Sequence, residues 1–323
     1  MFCESAAVRE IEREMSTVLD GPQMKKLHDC LDRVMGGPHA EPPNNKALLA
    51  DFLNAKAVEG CSVRTIQYYS ITLGHFIESL TVPLHVVDTA EVRRYLASRG
   101  ESGSISNVTL DNIRRVISSF FSWLEEEEVI YKSPVKRIKK IRSVMAIKPV
   151  ISDEEMEVIR DSCGNLRDRA IIDLLASTGM RVGELVRLRR SDIDFESREC
   201  VVHGKGNKQR KVYFDAKTKI HLQAYLTERA DSSPSLFVSL KAPFKPLNIS
   251  GVESRLREIG RVSAGLRLHP HKFRRTMATR AIDKGMPIEQ VQILLGHSKI
   301  DTTLCYAMVD QQNVKRSHHK YIS

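Results

Sequence analysis

Apolar positions along this chain recur with helical spacing almost everywhere and with strand spacing in one stretch. In residues 1–43, Val8, Ile11, Met15, Val18 and Leu19 share one face, and Met24, Leu27, Leu31 and Val34 share another. Two short helices are expected there, parted at Gly21-Pro22 and closed by Gly36-Gly37-Pro38, with their apolar stripes packed against their own protein. Residues 44–133 predict a helical domain. Its helices run over Lys46–Ala57, over Val63–Leu80 with Ser62 as cap, over Ala90–Arg99 behind Asp88 or Thr89, and over Val108–Glu127 after a Gly/Ser loop.

Lys132-Ser133-Pro134 stops this pattern, and 134–150 carries no convincing secondary-structure signal. Helical spacing resumes behind Ser152-Asp153-Glu154-Glu155, a capping box for a helix over Glu154–Cys163. A buried-type helix over Arg167–Ser177 follows, and Gly179 permits a tight turn that places Arg181 at the start of the next helix. Strand-like segments come next at Ile193–Phe195, Glu199–His203 and Arg210–Phe214, the last two joined as a hairpin with Lys205 at its tip. Helices over Lys217–Ala230 and Asn248–Gly260 flank a Pro-interrupted loop at 231–247, and a further helical run begins after His269-Pro270. The fold class expected is mostly α with a small antiparallel β-sheet. Its divisions are an N-terminal helical extension at 1–43, a helical domain at 44–133, a basic linker at 134–150 and a second, mixed α/β domain at 151–323 with a C-terminal tail.

Composition adds a partner class. The chain has 323 residues, 41% hydrophobic and 28% charged, which suits two soluble domains with apolar cores. No apolar run approaches a membrane span, and the acidic N-terminus has no signal core, so a cytoplasmic, non-membrane protein is expected. Its six scattered Cys show no CxxC pair, which fits reduced thiols. The net charge of +10 is unevenly spread: −5 over 1–133, +6 over 134–150 and +9 over 151–323. A polyanion held by the linker and the second domain follows from that distribution. Lys136, Arg137, Lys139, Lys140 and Arg142 make the linker a flexible strap for a phosphate backbone, and Arg114, Arg115, Lys208, Arg210 and Arg275 are further candidate DNA contacts.

The chemistry concentrates between His269 and Tyr306. Two His, an Arg and a Tyr at the ends of short helices suit work on a phosphodiester, where a tyrosine attacks phosphorus and Arg and His donors hold the charge on the oxygens. Gly204-Lys205-Gly206 lacks the full phosphate-loop pattern and is not read as a nucleotide site. His269, His271 and His297 lack carboxylate or Cys companions at ligand spacing, so no metal is expected.

Four segments in order, TGMRVGEL (178–185), HGKGNKQR (203–210), HPHKFRRTMATRAI (269–282) and LGHSKIDTTLCY (295–306), resemble the catalytic domain of the tyrosine recombinase (phage-integrase-like) family, in the style of its Xer-type and mobile-element members. The likeness is looser over 44–133, where a helical core-binding domain is suggested, and residues 1–43 match nothing that can be named. The resemblance implies a C-shaped clamp on double-stranded DNA that needs no metal or ATP. Arg181 and Arg274 would grip the scissile phosphate and Lys205 would protonate the leaving 5′ oxygen. His271 would move the tyrosine proton, His297 would bond a phosphate oxygen, and Tyr306 would form a 3′-phosphotyrosyl ester, with Glu184 in support. Phe273, Arg275 and Arg280 depart mildly from the usual residues. The resemblance further implies a homo-tetramer on two sites, a C-terminal tail given to a neighbour, a possible accessory directionality factor and a place near the nucleoid. The role would be integration or excision of a mobile element, or Xer-like dimer resolution. A type IB topoisomerase-like strand relaxer and a non-catalytic binding protein of the same fold are the alternatives.

Overall fold

The structure is a computed structural model that describes residues 3–35, 44–101, 103, 105–143, 149–204, 209–263, 265–297 and 300–304. The chain divides into two compact units, 1–146 and 147–323. No helix among the described residues is long and apolar enough to cross a membrane.

Among the described residues the first unit's elements are all helical, with α1 Cys3–Met15, α2 Gly21–Met35, α3 Asn45–Val58, α4 Val63–Glu78, α5 Thr89–Glu101 and α6 Asn107–Glu126. Side-chain caps start three of the last four: Ser62 at α4, as read from sequence, and also Asn44 at α3 and Ser106 at α6 accept backbone N–H bonds. At α5 the reciprocal bonds of Asp88 and Glu91 do the same. The core is built on aromatic rings: Phe52 meets Phe120 and Trp123 edge-on, and Phe76 meets Tyr95 and Phe121 in the same manner. The N-terminal pair α1–α2 is fastened to this domain by a buried carboxylate. Glu12, 3% exposed, takes a hydrogen bond from the Tyr131 hydroxyl and pairs with His28 Nδ1 at 2.5 Å.

The stretch after Pro134, expected to be a flexible strap, is packed onto this unit over its first part. Pro134–Arg137 forms a 3-10 turn and Val135, 2% exposed, enters the core. Thr89 donates to the Pro134 carbonyl at 2.8 Å, and Asp111 accepts from the Ile141 N–H at 3.0 Å while pairing with Arg114 Nε at 2.8 Å. Those bonds, the Arg114 bond first, hold the Asp111 carboxyl below its ordinary range. The apolar periodicity stopped at Ile130, so a single valine beyond a proline left no pattern to read. Residues 144–148 lie outside the described residues.

The second unit comprises α7 Asp153–Asp161, α8 Leu166–Thr178, α9 Val182–Leu185, β1 Ile193–Asp194, β2 Glu199–His203, β3 Gln209–Tyr213, α10 Ala216–Glu228, α11 Ile249–Val262, α12 Pro270–Asp283, α13 Ile288–Leu295 and α14 Asp301–Leu304. Ser152 and Glu155 close the expected capping box at α7. The three strands form one antiparallel sheet in the order β1-β2-β3, with Val202 opposite Arg210 and His203 opposite Gln209. Helix α8 is the centre of the core: Ile171, Ile172, Leu174 and Leu175 are buried along it, and it packs on α10 and α12. The start of the unit is stapled to α12, where Ile151 N–H donates to Thr276 Oγ1 at 3.0 Å and Arg280 donates to Ile151 O at 3.0 Å.

Packing of the post-proline stretch is open to a direct check. Val135→Ala removes two buried methyl-sized groups and should destabilise the chain's helical unit by about 1–2 kcal/mol. Urea unfolding followed at Trp123 measures this; a solvated strap would leave the midpoint unchanged.

Candidate active site

The site forms where α8 and α13 end, α12 starts and β2 ends. Helix α8 stops at Gly179, whose φ of +60° suits a residue without Cβ; an added Cβ would lie 2.2 Å from Met277 Cε. The turn delivers Arg181 to the N-cap of α9, and Glu184 Oε2 accepts the Arg181 backbone N–H at 2.8 Å. On α12, Pro270 occupies the first turn, where its missing N–H costs nothing, and Arg274 sits one turn further in, 2% exposed. Helix α13 ends at Gly296, φ +63°, and His297 follows.

Arg274 donates from Nη1 to Gly179 O at 2.8 Å and from Nη2 to Leu295 O at 2.6 Å. Arg181 donates from Nη1 to Glu184 Oε1 at 3.1 Å and from Nη2 to Gly296 O at 3.2 Å. The two expected phosphate-binding arginines therefore reach adjacent carbonyls of one helix end. A cleft of about 540 Å³ opens beside them, lined by Arg181, Glu184, Arg187, His203, His271 and Arg274 among others. Its chemistry is that of an anion site: two convergent guanidinium groups present planar N–H forks to a tetrahedral oxyanion.

Both histidines expected in the site are tuned toward neutrality. His297 Nε2 lies 2.8 Å from Arg274 Nη2 and Nδ1 lies 2.9 Å from Thr303 Oγ1. A guanidinium only donates, so Nε2 accepts and the ring is the neutral tautomer with its proton on Nδ1, directed at the buried Thr303. Burial first, then the Arg274, Arg181 and Arg210 charges, push the His297 pKa down to about 4. Its expected bond to a phosphate oxygen requires Nε2 to become a donor, and here Nε2 is an acceptor. His271 is exposed at the mouth of the cleft. Partial desolvation and then the Arg274 and Arg181 charges hold it below its ordinary value, which leaves it able to take a proton at neutral pH.

Glu184 is 3% exposed, and its carboxyl is held below its ordinary range despite burial, because Arg210, the Arg181 N–H and the Arg181 guanidinium all bond it. Arg210, expected to touch DNA, is turned inward instead: Nη1 and Nη2 grip Glu184 at 2.7 and 2.8 Å, and Nε donates to Leu294 O at 3.0 Å. Arg275 donates to Pro149 O at 2.7 Å, Arg114 pairs with Asp111, and Lys136 pairs with Glu125 at 2.5 Å. Arg115, Arg137, Lys139, Lys140 and Arg142 are exposed. Lys205, Lys208, Cys305 and Tyr306 lie outside the described residues, as does the C-terminal tail. Lys205 follows directly on Gly204 in the cleft wall, and Tyr306 follows two residues after α14 ends. Arg187 and His203 in the cleft were not anticipated. The signals were present, His203 two residues before Lys205 and Arg187 one turn beyond Gly183, but nothing in the spacing separated them from surface residues.

The His297 environment fixes a pH response. In the unfolded chain the imidazole takes its proton near 6.5, and in the folded site near 4. The unfolded state thus binds more protons between these values, so this group's contribution to stability is full above 6.5 and is lost as pH falls toward 4. NMR titration of the DNA-free protein should show His297 as the neutral Nδ1–H tautomer at pH 6, with a midpoint near 4. A midpoint at or above 6.5 would contradict the Arg274 contact.

Comparison with known proteins agrees with this architecture. The family model described as "Phage integrase family" matches residues 150–313, and that described as "Phage integrase, N-terminal SAM-like domain" matches 48–130. A tyrosine recombinase XerC of Staphylococcus haemolyticus (strain JCSC1435) is 31% identical over 278 residues, covering 82% of this chain and 93% of its own. Among solved structures, the Tn1549 transposon integrase bound to a circular intermediate DNA superposes with a TM-score of 0.70 at 17% identity, over 84% of this chain and 98% of that one. The XerH site-specific recombinase in a post-cleavage complex with difH substrate gives 0.67 at 21% identity, over 98% of this chain and 95% of that one. With both family models matched in order and a relative above 30% identity along most of its length, the chain belongs to the phage integrase family of tyrosine site-specific recombinases.

Proposed function

We propose that this recombinase cuts and rejoins double-stranded DNA through an ester between Tyr306 and a 3′ phosphate. The observation that supports this most is the convergence of Arg181 and Arg274, carried by different elements, on neighbouring carbonyls beside a neutral His297. Both guanidinium groups bond the non-bridging oxygens, where charge grows as the phosphoryl group transfers. A phenol with a pKa of about 10 needs help to attack at neutral pH. Neutral His271 accepts the proton as Tyr306 Oη bonds to phosphorus, and the P–O5′ bond breaks as Lys205 gives its proton to the departing 5′ oxygen. A 5′ hydroxyl then attacks the phosphotyrosine in reverse, so the bond's energy is kept and no nucleotide is consumed. When the phosphate takes over the Arg274 Nη2–H hydrogen bond, His297 Nε2 loses its donor; with the proton moved from Nδ1 to Nε2, and Nδ1 then accepting from the Thr303 hydroxyl, the ring can donate to a phosphate oxygen.

The exposed basic residues Arg115, Arg137, Lys139, Lys140 and Arg142 supply phosphate contacts outside the reacting centre, and such binding weakens as salt rises. The exchange takes place in a homo-tetramer on two DNA sites. The segment after Tyr306, with Met308, Val309 and Val314 as a small apolar patch, docks on a neighbouring protomer and couples nucleophile placement to assembly.

Tyr306→Phe should abolish the covalent adduct on a nicked duplex while leaving DNA affinity within about two-fold. Arg181→Ala should slow adduct formation by roughly 10²–10³, the usual loss for one preorganised donor. An adduct formed by the Phe variant would mean another residue is the nucleophile. Truncation after Asp310 should preserve single-site DNA binding in a gel-shift assay and reduce recombinant product at least ten-fold; recombination at the full-length rate would show that the tail acts only within its own subunit.

A further inference from the structure

Three consecutive carbonyl oxygens at the C-terminal end of α13 each accept from a different arginine: Leu294 from Arg210, Leu295 from Arg274 and Gly296 from Arg181. The last carbonyls of a helix have no partner within it and carry the negative end of the helix dipole, so three cations satisfy them in geometry and in charge. Two of these arginines are already assigned to the phosphate. The third, Arg210, is held differently. Its side chain is 13% exposed and its three nitrogens all donate into the protein, two of them side by side to the Glu184 carboxylate. Gly296 lies flat against it, and a Cβ there would meet Arg210 Cδ at 3.0 Å and its Nε and Nη1 at 3.2 Å. A group so enclosed does not reach out to a DNA backbone.

Arg210 stands where three elements of the site meet. It belongs to β3, immediately after the hairpin tip that carries Lys205. Glu184, which it grips, also fixes the backbone and side chain of Arg181. Leu294, whose carbonyl it holds, begins the run through Gly296, His297 and α14 to Tyr306. We infer that Arg210 is a positioning residue for strand cleavage, locking the hairpin, the Arg181 turn and the segment bearing the nucleophile into one frame through Glu184 and the end of α13.

Two consequences follow from charge and geometry. Without Arg210, the buried Glu184 carboxylate keeps Arg181 as its one guanidinium partner in this cluster, and Arg181 is drawn toward Glu184 and away from the phosphate. A lysine does not replace it, because one ammonium cannot span two carboxylate oxygens and a carbonyl in a fixed plane. Misplacement of reacting groups by about 1 Å costs on the order of 100-fold in rate.

This inference rests on the proposed strand-cleavage chemistry, and its test keeps the two apart. The full chain is assayed on a nicked duplex carrying the cleavage site mapped with the wild-type protein, by the rate of covalent adduct at saturating DNA and by the salt dependence of binding. A wild-type chain that forms no adduct would sink the cleavage chemistry itself, whatever Arg210 does. Given wild-type adduct, Arg210→Ala and Arg210→Lys should each lose about 100-fold in rate, with Kd within two-fold and an unchanged salt slope. Should either variant fail to fold, Glu184→Gln tests the same contact from its other side. It preserves shape while removing the carboxylate charge, and should lose at least ten-fold in rate at unchanged affinity. Wild-type rates in Arg210→Lys or Glu184→Gln, or a salt slope reduced by about one in Arg210→Ala, the mark of a lost phosphate contact, would overturn the assignment.

Discussion

A site that receives a phosphate must hold several cations close together before the phosphate arrives. Guanidinium groups at such separations repel, and burial strengthens that repulsion. In this chain the balance is supplied by one buried carboxylate and one helix end. Glu184 bonds both Arg181 and Arg210, and the final carbonyls of α13 take one N–H each from Arg210, Arg274 and Arg181. Neither device is a full counter-charge to three arginines. An excess of positive charge is left facing the cleft, where an oxyanion can settle it. Preorganisation of this kind costs stability in the free protein and spares reorganisation during the reaction.

The same field accounts for the histidines. A ring placed against Arg274 and near Arg181 and Arg210 cannot easily gain a proton, so His297 stays neutral with its Nδ1 proton on Thr303. Thr303 belongs to α14, which ends two residues before Tyr306, so the bond from His297 links the arginine cluster to that helix. Gly296 must be glycine on two grounds, its left-handed backbone and the Arg210 guanidinium beneath it. One helix end thereby gathers the arginines, the histidine and the route to the tyrosine.

Much of this architecture was legible from residue pattern. The helix expected over Lys46–Ala57 is α3, Asn45–Val58, and Ser62 and Ser152 cap the helices they precede. The hairpin expected from two β-rich runs, Glu199–His203 and Arg210–Phe214, is the pair Glu199–His203 and Gln209–Tyr213, one residue off in the second strand. Arg181, Arg274 and His297 were found by motif and are brought together in the structure. What pattern did not disclose is the choice of partner at long range. Arg210 reads as one more basic residue on a basic hairpin, and nothing local says that its guanidinium is enclosed by Glu184 and Leu294. Val135 reads as part of a charged linker, and only the fold shows that it fills a gap between helices. The direction of the His297 proton is likewise a property of its neighbours and not of its position in the chain.

The central claim is that this set of groups serves a tyrosine nucleophile at position 306. It is tested most directly by trapping the wild-type protein on a nicked duplex, digesting with trypsin and sequencing the modified peptide by mass spectrometry. Cleavage after Lys299 and Lys315 yields a peptide over 300–315 in which Tyr306 is the one tyrosine. The account predicts a nucleotide joined to that tyrosine through a 3′ phosphate. A 5′-linked nucleotide, or an adduct on any other residue, would contradict it.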